Sequence, residues 1–312
     1  MELFINSLGS VAIVFLLTAL GYYCAARGWL NAEGKRFINK FLINVGIPVM
    51  CISELTSKID RSEIIAFLPL ILAGFASLLL TLLLAAIVQK AFLRMKKERI
   101  GIFLLMCSTT NALFVGLAMC TQIFGDECTP YVMMFYLVNT IVIQLVCQPI
   151  VRKYGTVEGE KPFRLSDMLK TPTVLGVLTG CALVALNVKL PHVLAQTAMY
   201  VARTITPFAL LLTGYIIYEI GLKNLRIDRD QLFVLLFRFV ICPAIGAGVC
   251  ALAGISGMIR NVLTVELAMP VLSMAVVYAS SYGADEQFAA KGAALTTLGC
   301  FIFIPVWILI LG

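Results

Sequence analysis

Ser108-Thr109-Thr110-Asn111-Ala112-Leu113-Phe114-Val115-Gly116-Leu117 places four consecutive polar side chains inside an apolar stretch, residues 99–124. Four successive residues of a helix point in every direction around its axis. They cannot all avoid lipid unless protein or a wet cavity encloses them. Such groups also serve as interhelical glue, at about 0.6 kcal/mol per hydrogen bond, but glue rarely comes four in a row. A second segment matches the first from the far end of the chain: Glu266-Leu267-Ala268-Met269-Pro270-Val271-Leu272-Ser273. Pro270 lacks an amide donor and its ring clashes one turn back, which leaves carbonyls unpaired near the middle of its stretch. A lone membrane proline can be a harmless kink. Opposite the polar run, it reads as a broken helix facing a ligand.

The surrounding chain is 61% hydrophobic and 13% charged, with a mean hydropathy of +0.97. Soluble domains carry about 25% charged residues, so the composition is that of an integral membrane protein. Ten stretches are long enough to cross about 30 Å of hydrocarbon as helices. They run approximately over 5–27, 36–56, 63–89, 99–124, 130–152, 169–187, 192–220, 230–254, 261–283 and 287–311. They are too long for barrel strands of about ten residues. The first carries no basic n-region before it and exceeds a signal h-region, so it reads as a retained helix.

The stretches repeat. Gly21 precedes Pro48 by 27 residues, and Gly180 precedes Pro207 by the same 27. Phe124-Gly125-Asp126-Glu127 is echoed by Tyr282-Gly283-Ala284-Asp285-Glu286, and Pro149 by Pro305. The expected organisation is a five-helix repeat over 1–152, a cytoplasmic linker over 153–168, and a second five-helix repeat over 169–312. Duplicated bundles with proline-broken helices are the architecture of secondary transporters, whose site lies near the bilayer midplane.

The net charge of +7 is spread as in a membrane protein, which argues against nucleic acid as a partner. Eighteen of the 24 lysines and arginines fall in or beside the odd-numbered connections, four in the others, and Arg203 and Arg238 lie deeper within stretches. The positive-inside rule makes the odd connections cytoplasmic and puts both termini outside a plasma membrane. An odd number of spans per repeat makes the second copy inverted. Nine of the ten cysteines fall in or beside the stretches and His192 is the only histidine. Neither a zinc site nor a disulfide scaffold is expected, and no cofactor is implied. No GxxxxGK[ST] loop is present for ATP, and no nucleophile–base cluster for an enzyme.

STTNALFVGLA with the following FG, INVGIP at 43–48, and LAMPVLSMAVVYASSYGADEQFAAKGAALTTLGCFIFIPVWIL at 267–309 resemble the auxin efflux carrier family. That family includes PIN-type plant carriers and bacterial malonate and malate carriers. In the family's span-four pattern Asn111 and Gly116 match, and Ala118 stands where a proline is usual. The resemblance implies a fold similar to the bile-acid:sodium symporters: all-α, two inverted five-helix repeats, with broken fourth and ninth helices that cross. It also implies that substrate binds at the crossing with Asn111 as a ligand.

The expected function is therefore alternating-access transport of a small organic anion: a mono- or dicarboxylate, or an auxin-like acid. Coupling to membrane potential or protons is preferred; a sodium-coupled symporter and a channel are the alternatives. Substrate-binding candidates are Ser108, Thr110, Asn111, Asn44, Gln144, Arg203, Pro270 and Ser273, with helix breaks expected at Pro48, Gly116, Pro207 and Pro270. Arg203 lies about 16 Å into its stretch, where an arginine is costly and functional by default; its alternative is an ion pair with Glu54 or Glu266. Gln144 and Gln148 either line the cavity or bridge helices. Glu219 and Arg238 read as snorkelling side chains nearer the helix ends. Glu266, one turn before Pro270, is the candidate for proton coupling. The bilayer and a homodimer partner complete the expected surroundings.

Overall fold

A computed structural model describes residues 2–58, 66–156, 170, 172–221, 227–272 and 274–311, and every regular element among them is helical. Among the described residues seven helical stretches, some of them interrupted, are long and apolar enough to cross a membrane: Ala32–Ser57, Leu68–Phe92, Lys97–Phe124, Asp126–Tyr154, His192–Glu219, Arg229–Leu252 and Glu286–Leu311. Two further apolar helices are α1 (Glu2–Ala26) and α9 (Pro172–Ala185). The stretch at 261–283 is not continuous. It divides into α14 (Gly257–Leu267) and α15 (Met274–Tyr282) around Pro270. Of the expected linker, residues 157–168 lie outside the described residues.

The prolines act in two ways. Pro48 does not break its helix: α2 (Ala32–Phe41) passes through a π turn, Leu42–Gly46, into α3 (Ile47–Lys58). The same device recurs twice. Between α7 (Thr129–Val142) and α8 (Gln148–Tyr154) a π turn ends at Cys147, two residues before Pro149. Between α12 (Arg229–Leu236) and α13 (Cys242–Leu252) another ends at Ile241, two residues before Pro243. In each, the residue before the proline donates to the carbonyl five back. The widened turn makes room for a ring that would clash in a regular one. Pro207, by contrast, sits in the first turn of α11 (Ile205–Ile220), just after a turn at Thr204 ends α10 (His192–Arg203).

Two packed pairs frame the bundle. α1 runs along α11, and α9 runs along α3. The axes approach so closely that a Cβ on Gly21 would strike the Leu211 backbone and one on Gly214 the Thr18 carbonyl. On the other side a Cβ on Gly176 would meet Pro48 Cα at 2.5 Å, and one on Gly180 would meet Leu55 Cδ1 at 2.7 Å. Against this frame lie α4 (Leu68–Phe92), α5 (Lys97–Ser108), α6 (Leu117–Phe124) and α16 (Glu286–Leu311), with the elements already named. α5 is buried on every side from Gly101 to Ser108, and α14 from Val262 to Leu267. A helix buried all round belongs at the centre, and these two end there facing each other's continuation.

At one end of the bundle, connections carrying most of the basic residues converge. Arg99 reaches Asp285 at 2.7 Å and Asp228 and Asp230 at 3.2 Å each. Lys35 pairs with Glu219, 184 residues away in the sequence. At the opposite end Arg260 donates to the Leu311 carbonyl, 2.9 Å.

Candidate site at the helix crossing

The polar run breaks its helix without a proline, and the break falls at Thr109–Asn111 rather than at Gly116, which is helical at the end of a π turn. α5 stops at Ser108, Thr109 is extended (φ −113, ψ 155), and the chain resumes as a π turn, Ala112–Gly116, leading into α6. Two of the four polar residues satisfy themselves: Ser108 Oγ donates to the Leu104 carbonyl at 2.7 Å and Thr109 Oγ1 to that of Leu105 at 2.8 Å. This back-bonding to the preceding turn is the usual fate of buried helical hydroxyls. Thr110 and Asn111 do something else. Asn139 on α7 clamps the Thr110 backbone, accepting from its N–H (3.3 Å) and donating to its carbonyl (2.9 Å). Asn111 caps the new helix, its Oδ1 accepting from Phe114 N at 3.3 Å.

The second break meets the first. Asn111 N donates to the Pro270 carbonyl at 2.8 Å, so the two interrupted helices cross through a backbone hydrogen bond. On the far side Thr296 of α16 accepts from Val271 N (3.0 Å) and donates to Gly292 O (2.7 Å). Each break is thus held by a polar side chain from the helix that follows it.

Four helix ends gather here. Ala112 and Met274 begin segments whose unpaired amides give positive ends; Ser108 and Leu267 finish segments whose carbonyls give negative ends. Arg238, at 0% exposure, binds the negative ends. Its Nη2 donates to Leu267 O (2.6 Å), its Nε to Met269 O (3.1 Å) and its Nη1 to Cys107 O (3.4 Å). Cys242, one turn on, donates from Sγ to the same Cys107 carbonyl at 3.0 Å. Glu266, equally buried, lies against Gly116 and accepts from Cys120 Sγ at 3.5 Å. Thr110 Oγ1 and Glu266 Oε2 are buried with no hydrogen-bond partner among the described residues. Buried polar groups are nearly always paired, so these two stand out at the crossing. Among the described residues no three His, Cys, Asp or Glu side chains gather to hold a metal.

A family model described as "Membrane transport protein" matches the chain twice, over residues 7–161 and 161–308. The chain belongs to this family. It is the family of the auxin efflux carriers that the motifs resembled. A transporter of Methanocaldococcus jannaschii, described as uncharacterized, is 25% identical over 95% of this chain and 96% of its own length. Another, from Methanothermobacter thermautotrophicus, is 22% identical over 99% of this chain and 100% of its own.

In this transporter Asn44, Gln144 and Arg203 sit on elements other than the two broken helices. Asn44 is exposed and donates to the Lys40 carbonyl of its own helix at 2.8 Å. Gln144, on the α7–α8 π turn, is half-buried, and its buried Oε1 has no hydrogen-bond partner among the described residues, while Gln148 bridges to the Tyr282 hydroxyl. Ser273 lies outside the described residues. Arg203 is exposed in a cavity of about 860 Å³, with Ser53, Glu54, Thr121, Asp126, Lys189 and Pro207. It forms no ion pair with Glu266 or any other described residue. The cavity touches α6 at Leu117 and Thr121, one and a half turns or more beyond Asn111.

Sequence reasoning missed Asn139, Thr296 and Arg238. Arg238 is no snorkelling residue: it is the buried cation of the crossing. A signal for it existed. It lies eight residues after Asp230, about 12 Å into its span at ~1.5 Å per residue, the depth argument that was applied to Arg203.

Proposed function

We propose that this transporter is a secondary carrier of a small organic anion that binds at the crossing of the two broken helices. One observation carries the reading. Two positive helix ends converge beside Asn111, and the two negative ends that would oppose an anion are occupied by the Arg238 guanidinium. An anion is favoured where unpaired amides and helix dipoles converge, and Asn111 and the Thr110 hydroxyl would supply neutral contacts. Mono- and dicarboxylates fit this chemistry.

The architecture we propose is ten spans in two inverted repeats. Support comes from the family model matching each half in turn. It also comes from the reciprocal packing in which the first helix of each half, through Gly21 or Gly180, lies on the second span of the other. Basic residues of the odd connections place those connections in the cytoplasm and both termini outside the plasma membrane. Access alternates by movement of the crossing bundle against the α1–α3 and α9–α11 frame. The ion pairs agree: Lys35–Glu219 stays within the frame and the Arg99 cluster within the bundle. The Arg203 cavity is the outer antechamber. Glu266, its carboxyl facing Cys120 and Gly116 with no ion pair among the described residues, exchanges the coupling proton.

Counterflow in proteoliposomes across a panel of mono- and dicarboxylates, with and without a proton gradient, tests this. A carrier saturates and accelerates uptake when preloaded with substrate. Conductance without saturation or counterflow would instead identify a channel, and ligand binding without flux a receptor.

A further inference from the structure

We infer that the Arg238 guanidinium is a built-in coupling cation: it fills a carbonyl cradle that would otherwise bind a monovalent metal ion, so the carrier runs without sodium. This rests on the carrier reading above and decides between the proton and sodium alternatives. Interrupted membrane helices bind sodium through unwound carbonyls and half-helix C-terminal ends. Here such carbonyls are present, from Leu267 and Met269 of one break and Cys107 of the other; all three accept from Arg238, and Cys107 O accepts from Cys242 Sγ as well. The guanidinium is planar, keeps its charge under all physiological conditions, and offers donors in a fork that serves several acceptors at once. No carboxylate lies within ion-pair distance of it among the described residues, so the helix ends are its counter-charge. Positions related to Arg238 by the repeat, Leu79 to Leu82, carry no charge. One cation therefore serves the C-terminal ends of both halves, and it links them.

Carbonyl ends left without this cation would be a vacant cation site. Purified protein and proteoliposomes test this with sodium, potassium and choline chloride at equal concentration, and with guanidinium far below denaturing levels. Wild type is expected to show the same Tm and the same flux in all three salts. Arg238→Ala is expected to lose Tm and flux. Its Tm should rise saturably with guanidinium, and also with sodium over choline, as linkage requires of a ligand that binds only the folded state. Arg238→Lys should retain part of the stability and stay indifferent to sodium. Sodium-stimulated, saturable flux in wild type overturns the inference, and so does a folded Arg238→Ala that responds to neither guanidinium nor sodium. Where Arg238→Ala does not accumulate, wild type and Arg238→Lys decide: sodium-indifferent flux in both supports it, and sodium stimulation in either overturns it. Flux that survives Asn111→Ala is a separate failure. It removes substrate from the crossing while the salt dependence of Tm still reads the cradle.

Discussion

The carboxylate of Glu266 lies directly over Gly116, so that a Cβ there would meet its two oxygens at 2.5 and 2.6 Å and its Cδ at 2.8 Å. α14 and the π turn that leads into α6 touch through this contact, close to each helix break. Glycine is needed here for space, since φ at Gly116 is an ordinary −60.

Gly116→Ala is therefore expected to displace the carboxylate or part the two half-helices, at a cost of about 1–3 kcal/mol as for other overpacked sites. Both Tm and flux should fall. Shortening the partner removes the clash, so Gly116→Ala combined with Glu266→Ala should lose less than the two single costs together. Residues in contact couple in this way and distant ones add. Strict additivity in the double-mutant cycle would show that the two side chains do not meet.

Asp285 at the basic end of the bundle supplies a pH test. Burial alone would raise its carboxyl, but the Phe288 amide and the Arg99 guanidinium overcome this and hold it below the usual aspartate range. A depressed folded pKa means that the stabilisation is fully present above the unfolded value, about 3.9, and is lost as pH falls through the lower folded one. Neutral pH should leave Tm flat, with a fall attributable to this group only below roughly pH 4. Asp285→Asn keeps an oxygen for Phe288 N but gives up the charge. It should start at a lower Tm and lack that component of the acid step; an identical acid profile in wild type and variant would remove Arg99–Asp285 as a contributor.

The membrane class, the helical content and the two breaks were legible because each has a local cause. Apolar length reports a span, four polar residues in a row report an enclosed segment, and Pro270 reports lost amides. The effect of Pro48 was not legible. Whether a proline breaks a helix or is absorbed depends on whether the preceding turn can widen, and Leu42–Gly46 carries no residue that announces it. Arg203 and Arg238 show the same limit. Both lie at mid-span depth, yet one faces an open cavity and the other is enclosed. Depth follows from counting residues; the direction a side chain faces depends on which helices pack against it, and that is a property of the assembled bundle. Asn139 and Thr296 were invisible for a related reason. Each is a single polar residue in an apolar helix, and what distinguishes it is the unpaired backbone it meets.

Asn111→Ala separates substrate contact from helix capping. The variant keeps the backbone N–H that donates to Pro270 O, so the crossing itself should hold. It gives up the side-chain cap on Phe114 N, worth about 0.5–2 kcal/mol. A folded protein with somewhat lower Tm and no saturable binding is the expected result. Wild-type transport by a well-folded Asn111→Ala would sink the crossing as the substrate site, whereas loss of transport only in step with loss of expression would leave Asn111 a structural residue.

Arg203 tests the antechamber. Because the side chain is exposed in the cavity beside Lys189, Glu54 and Asp126, its removal should cost little stability; exposed charges contribute about 0–1 kcal/mol. This differs from the several kcal/mol that follow from breaking a buried pair. Its effect should appear in substrate capture. Guanidinium and carboxylate form two parallel hydrogen bonds that lysine cannot reproduce, and a dianion arriving at the crossing has a second carboxylate to place. Arg203→Gln is expected to raise KM for dicarboxylates more than for monocarboxylates, with kcat nearly unchanged. Arg203→Lys should fall between, and added salt should narrow the difference, as it does for solvent-exposed charges. Melting temperature measured beside uptake reads the two roles separately. A stable Arg203→Gln protein with unaltered dicarboxylate preference would show that the anion passes this cavity without using the arginine, and a large loss of Tm would show that Arg203 supports the fold.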